Sequence, residues 1–130
     1  MRIMIDTNVI ISALLKQGSV PDVVLNDVCE NHELILCDRI ISESYDVAKR
    51  RFPDKIIALD DFYAQLRYEL VPAPRTGQIQ IRDIKDQPIL NAAITYGIDI
   101  LITGDRHFLE LDIKIPQIIT PSVYKEQYID

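Results

Sequence analysis

A chain of 130 residues with 48% apolar side chains has the size and composition of one packed domain, which excludes a disordered chain and leaves no room for a second core. Its formal net charge of −6 argues against a surface built to grip nucleic-acid phosphates, unless acids cluster around divalent cations; two such ions on four acids would leave the loaded chain near about −2. No apolar run approaches the roughly 18 residues of a membrane span, and Asp6 interrupts the first run too early for a signal peptide, so a cytoplasmic protein is expected.

In chain order, Arg2–Ile5 reads as a buried strand that breaks at Asp6-Thr7-Asn8 before a helix over residues 8–15. Asp6 either caps that helix or, at the carboxyl end of a strand, faces the crevice where ligands bind in open α/β sheets. A helix near 21–31 and a strand near 33–37 follow. Cys29 and Cys37 lack metal-site spacing and read as reduced packing residues. Next comes a helix near 39–51, on whose wheel Ile41, Tyr45, Ala48 and Phe52 form the apolar stripe, while Glu43 falls nearly opposite beside Asp46 and Arg50. Periodicity alone therefore makes Glu43 a solvated-face residue.

The segment 53–70 predicts the most regular helix, with Ile56, Leu59, Tyr63, Leu66 and Leu70 at steps of three and four and Pro53 in a start position. Its stripe faces either the core or a second copy in a homodimer. Val71-Pro72-Ala73-Pro74 reads as an extended segment kept at an edge or in a loop by its prolines. The stretch Arg75–Asp83, with Thr76-Gly77 and no period, is predicted to be the flexible segment. A helix from Pro88 to Tyr96 ends at Gly97, Ile98–Thr103 forms a buried strand, and Gly104-Asp105 turns into a short helical piece. Ile118-Ile119 is a last short strand, with Pro121 opening a terminal helix. Strands separated by crossover helices predict an α/β fold, a three-layer sandwich on a central parallel sheet, without repeats or linkers.

Asp105, like Asp6, follows a buried strand, and Asp86 stands at the start of a helix whose apolar face includes Ile89, Ala92, Ala93 and Tyr96. Each has the capping alternative, but three such strand-end or helix-start acids, if they converge, suit oxygen-loving cations such as Mg²⁺ or Mn²⁺. Ions about 4 Å apart assist phosphodiester hydrolysis. The only histidines, His32 and His107, sit in no nucleophile motif, and the four glycines form neither a P-loop nor a dinucleotide pattern. Basic residues gather at Lys49-Arg50-Arg51 with Lys55, and at Arg75, Arg82 and Arg106.

The segments Ile3-Met4-Ile5-Asp6-Thr7-Asn8-Val9, Ile41-Ser42-Glu43, Asp83-Ile84-Lys85-Asp86-Gln87-Pro88-Ile89-Leu90-Asn91-Ala92-Ala93 and Leu101-Ile102-Thr103-Gly104-Asp105 resemble, in order, the motifs of the PIN-domain family. The resemblance implies a single PIN-like domain over 1–130, with Asp6, Glu43, Asp86 and Asp105 as catalytic metal ligands and Asn8 and Thr103 as supporting residues. Asp83 either orients a water or holds its loop. Also implied are a Mg²⁺- or Mn²⁺-dependent ribonuclease acting on single-stranded RNA and leaving 3′-hydroxyl and 5′-phosphate ends, and a VapC-like toxin whose antitoxin lays a peptide beside the acids. Arg82, Arg106 and His107 are candidates for contacting the RNA. One departure is His107, which stands where many relatives carry a further carboxylate. Two other readings stay open. A signalling receiver domain would need paired acids after the first strand, where Asp6 is single, and a phospho-accepting Asp after a middle strand, where Leu36-Cys37-Asp38 offers a weak context. A PIN fold kept as an interaction module would have no need of all four acids.

Overall fold

Among the described residues, 1–75, 77 and 79–129 of a computed structural model, five strands form one sheet: Arg2–Ile5 (β1), Glu33–Cys37 (β2), Glu69–Val71 (β3), Ile100–Ile102 (β4) and Gln117–Ile119 (β5). All neighbours are parallel, in the order β3-β2-β1-β4-β5. Helices cover the sheet: Thr7–Leu15 (α1), Val20–Asn31 (α2), Asp38–Arg51 (α3), Ile56–Gln65 (α4), Gln87–Thr95 (α5), Arg106–Leu109 (α6) and Pro121–Tyr128 (α7). This is the predicted α/β architecture. The central strands are unbroken apolar runs because both faces are covered, and Ile3, Met4, Ile5, Ile35, Leu36 and Leu101 are wholly buried. None of the described helices is long and apolar enough to cross a membrane.

The chain winds outward from β1 through β2 to β3, then returns past β1 to β4. The β1–β4 boundary is therefore the topological switch point, where a crevice opens at the carboxyl ends of the strands. Asp6 leaves β1 there, and Thr103 to Asp105 leave β4 beside it.

Two elements differ from the sequence reading. The helix predicted over 53–70 is a 3-10 turn at Pro53–Lys55 followed by α4, which stops at Gln65; Glu69–Val71 instead pairs with Ile35–Cys37 as an edge strand. Ladder hydrogen bonds along β2 outweigh a helical period that Leu70 matched by coincidence, and Leu70 lies exposed on that edge. Leu59 and Tyr63 face the core with Ile56 and Leu66 packed beside them, so the stripe is not a dimer surface. The second difference is the segment read as flexible. Gln87 donates from Nε2 to Ile79 O (2.7 Å) and accepts from Ile81 N (3.1 Å), and Asn91 Nδ2 donates to Pro74 O (3.2 Å). Two amides of α5 thus hold the loop, Ile81 is buried, and a Cβ on Gly77 would collide with the Asn91 amide. Thr76 and Gln78, within that prediction, lie outside the described residues.

On α3 the fully buried positions are Ile40, Ser44 and Ala48, a stripe rotated from the predicted one. Ser44 tolerates burial because its hydroxyl donates to Ile41 O (2.6 Å) and lies 2.7 Å from the Tyr63 hydroxyl, from which it accepts. This contact clamps α3 against α4 one residue from Glu43. Both cysteines are free; burial pushes the Cys37 thiol up to about 11, consistent with an inert packing residue.

Replacing Ser44 with Ala strands the buried Tyr63 hydroxyl and should cost about 1–3 kcal/mol, whereas Tyr63→Phe leaves Ser44 bonded to Ile41 and should cost about 0.5–1.5 kcal/mol. Urea unfolding of both variants measures the difference.

Candidate metal centre

Asp6 is almost fully buried, and both its oxygens are engaged. Oδ1 accepts from Thr7 N (2.7 Å), capping α1, and Oδ2 accepts from the Thr103 hydroxyl (2.8 Å). Capping and facing the crevice are thus the same placement. The Thr103 oxygen in turn accepts from Asp105 N (3.0 Å), so one buried hydroxyl orients the acids of two strands. Asn8, expected to support Asp6, is exposed, and among the described residues it makes no hydrogen bond to Asp6. Thr7 and Thr103 do that work instead.

Asp105 caps α6 through His107 N (2.8 Å), and the His107 ring Nδ1 lies 3.6 Å from Asp105 Oδ1. Asp83 caps the 3-10 turn Ile84–Asp86 through Lys85 N (3.0 Å). Asp86 makes no such cap, although it opens α5. Glu43 is half-buried on α3, its Oε2 3.8 Å from Arg39 Nε. Burial, not the wheel, gives its orientation: with Ile40 and Ser44 inside, Glu43 turns toward Asp6 and Asp83.

The electrostatics record this convergence. Burial first, then the neighbouring Asp105, Asp6 and Asp83, pushes the Asp86 carboxyl up to about 8. Burial also raises Asp6, against the hydrogen bonds from Thr103 and Thr7, with Asp105 adding to the rise. Glu43 is raised by burial and by Asp6, partly offset by Arg39. Asp86 Oδ2, His107 Nδ1, Thr7 Oγ1, Glu43 Oε2 and Arg39 Nε are buried without a hydrogen-bond partner among the described residues, the last two facing each other as an ion pair at 3.8 Å. Buried carboxylate oxygens that repel one another and lack donors match the needs of a divalent cation. Asp83, Asp86 and His107 each offer a ligand atom within 4.8 Å of the others.

Beside Glu43 opens a cleft of about 520 Å³ lined by Arg39, Asp46, Lys49, Arg50 and Lys85. The sequence reading noticed Lys49 and Arg50 but missed Arg39, one helical turn before Glu43, and Lys85, next to Asp86. Of the basic residues it named as RNA contacts, Arg106 is exposed and paired with Glu110 (3.6 Å), and Arg82 is exposed and lines a separate cavity with Arg75. A larger cavity, about 690 Å³, lies at the opposite sheet edge around Arg2, His32 and Glu33. There Arg2 pairs with Glu33 (3.4 Å) and Glu69 (3.3 Å), and Asp99 accepts from Arg2 N (2.8 Å). Those acids are already satisfied, so the chemistry is assigned to the other edge. Asp38 is also engaged, accepting from Ala73 N (3.0 Å).

A family model described as a PIN domain matches residues 2–107. No curated protein sequence matches the chain. Among solved structures the chain is similar to VapBC2 from Rickettsia felis, crystallised bound to a DNA fragment from its promoter, at 18% identity and a TM-score of 0.66, covering 92% of this chain and 97% of that one. It is also similar to VapC20 from Mycobacterium tuberculosis, a sarcin-ricin loop cleaving toxin, at 12% identity and a TM-score of 0.57, covering 87% and 98%. At these identities the likeness is one of fold.

Thr103→Val keeps the shape of the side chain but removes the donor to Asp6 and the acceptor for Asp105 N; a loss of about 2 kcal/mol in urea unfolding is expected. Because the Asp86 carboxyl is raised, the metal-free fold is favoured below the ordinary carboxylate range and loses that advantage as pH rises through about 8. A divalent cation takes the ionised form, so its stabilisation, measured as a shift in Tm, should be larger near about pH 8 than near about pH 5. Asp86→Asn should remove most of that difference.

Proposed function

The chain belongs to the PIN domain family, and from that premise we propose that it is a divalent-metal-dependent endoribonuclease of single-stranded RNA, the toxin of a toxin–antitoxin pair. The observation that carries this reading is the convergence of acids from four separate stretches of chain, Asp6, Glu43, Asp86 and Asp105, on one crevice, where Glu43 Oε2 and Asp86 Oδ2 are buried without a hydrogen-bond partner among the described residues. Asp83 is added to the set by its place beside Asp86.

In this reading Thr103 and Thr7 fix Asp6, and Thr103 fixes the start of the Asp105 turn, so the acids of two strands are held in place before a cation arrives. Mg²⁺ or Mn²⁺ held by Asp6, Glu43, Asp86 and Asp105 would supply Lewis-acid activation and neutralise charge at the scissile phosphate. Arg39, Lys49, Arg50 and Lys85 line the approach beside Glu43 and attract a phosphodiester strand, which answers the objection raised by the acidic net charge. The toxin assignment is supported by the fold shared with VapC20 and VapBC2, the second of which suggests a cognate antitoxin as partner. A toxin of this kind acts on cytoplasmic RNA.

With a single-stranded RNA and Mg²⁺ or Mn²⁺, wild-type protein should cleave and EDTA should stop it. Asp6→Asn should lower the rate by at least about a hundredfold with the circular dichroism spectrum retained. Equal cleavage by the two proteins would overturn the assignment.

A further inference from the structure

We propose that Asp83, Asp86 and His107 form a mixed nitrogen–oxygen cation site that selects a first-row transition ion over Mg²⁺, with the His107 imidazole as a ligand. The inference rests on the nuclease reading and identifies which class of ion serves it. Asp83 caps a 3-10 turn and Asp86 is its last residue, three positions on, and their carboxylates come to one side. His107 enters from the first turn of α6, where its own N–H on Asp105 Oδ1 fixes its backbone.

The three side chains bring ligand atoms within 4.8 Å of one another. Asp86 is only 5% exposed, and its Oδ2 has no hydrogen-bond partner among the described residues. His107 Nδ1 is likewise buried and without a hydrogen bond, since its separation of 3.6 Å from Asp105 exceeds hydrogen-bonding range. An imidazole used only as a partner for Asp105 would close that gap. A buried carboxylate oxygen and a buried ring nitrogen, neither hydrogen-bonded among the described residues, on two side chains whose ligand atoms gather with those of a second acid, make a site for a cation that accepts nitrogen.

That donor set discriminates. Mg²⁺ demands octahedral oxygen coordination and gives up water reluctantly, whereas imidazole suits ions later in the first row, whose affinities for N/O sites rise from Mn²⁺ through Co²⁺.

The chain carries only two histidines, and His32, just before β2, stands at the opposite edge of the sheet from His107. Imidazole resonances therefore report the site without ambiguity. Substoichiometric Mn²⁺ added to the full ¹⁵N-labelled chain should broaden the His107 ring signals and spare those of His32. Calorimetry should place Co²⁺ affinity above Mn²⁺, and both above Mg²⁺. Loss of a mere partner to a metal ligand typically lowers affinity roughly 10- to 100-fold, so His107→Gln should lower Co²⁺ affinity by at least that much while changing Mg²⁺ affinity little. His107→Asp, which supplies an oxygen ligand, should move the preference toward Mg²⁺. Unbroadened His107 signals, or equal Co²⁺ affinity in wild type and His107→Gln, overturns the inference. Mg²⁺ binding that Asp6→Asn abolishes would in that event leave the nuclease reading standing, whereas wild-type protein that binds no divalent ion overturns both.

Discussion

The parallel pairing of β1 with β4 is the constraint on which the rest of the molecule depends. It sets Ile5 opposite Ile102, continues through Asp6 N donating to Ile102 O (2.9 Å), and so brings Asp6 level with Thr103 across 97 residues of sequence. A carboxylate this deeply buried would be costly without donors. Thr7 N and the Thr103 hydroxyl meet that need, and the same hydroxyl receives Asp105 N. The acids of two strands are therefore referenced to one oxygen atom, and that oxygen to the sheet, because Thr103 N itself donates to Ile119 O (3.0 Å).

The two edges of the sheet treat acids in opposite ways. At the amino end, Glu33 and Glu69 share Arg2, and Asp99 receives a backbone donor. At the carboxyl end, Asp83, Asp86, Asp105, Asp6 and Glu43 crowd one another, with Arg39 and Lys85 lowering only the Glu43 carboxyl, and the carboxyls of Asp6, Glu43 and Asp86 are raised. A fold optimised for stability alone would have placed a basic residue in the middle of such a group. Crowding these acids together opposes folding, and the packed helices and central strands supply the surplus that permits it.

Most of the architecture was legible because buried parallel strands leave unbroken apolar runs and helices leave stops such as Gly97, whose φ of 67° suits glycine. Asp6, Asp86 and Asp105 were legible as positions, since each ends a strand or starts a helix. Glu43 was not. A wheel drawn from apolar residues centred the buried face on Ile41 and Tyr45, whereas Ser44, satisfied by Ile41 and Tyr63, turns that face and Glu43 with it. Family resemblance pointed to Glu43 where periodicity pointed away. The end of α4 was misread because helical spacing through Leu70 cannot register a ladder made with β2. Thr7 hid as an ordinary helix-start residue, although its hydroxyl is buried without a hydrogen-bond partner among the described residues.

The tether formed by Gln87 and Asn91 has a consequence for how the chain can diverge. Surface loops commonly absorb insertions and deletions, because lengthening them costs little entropy. Here the stretch from Pro74 to Ile81 is bonded near both ends to two amides one turn apart on α5, and Gly77 passes where a side chain would strike Asn91. Its length is therefore a gauge. A residue added or removed would drag on the first turn of α5, immediately beside Asp86, so among homologues this loop should keep its residue count even where its sequence drifts.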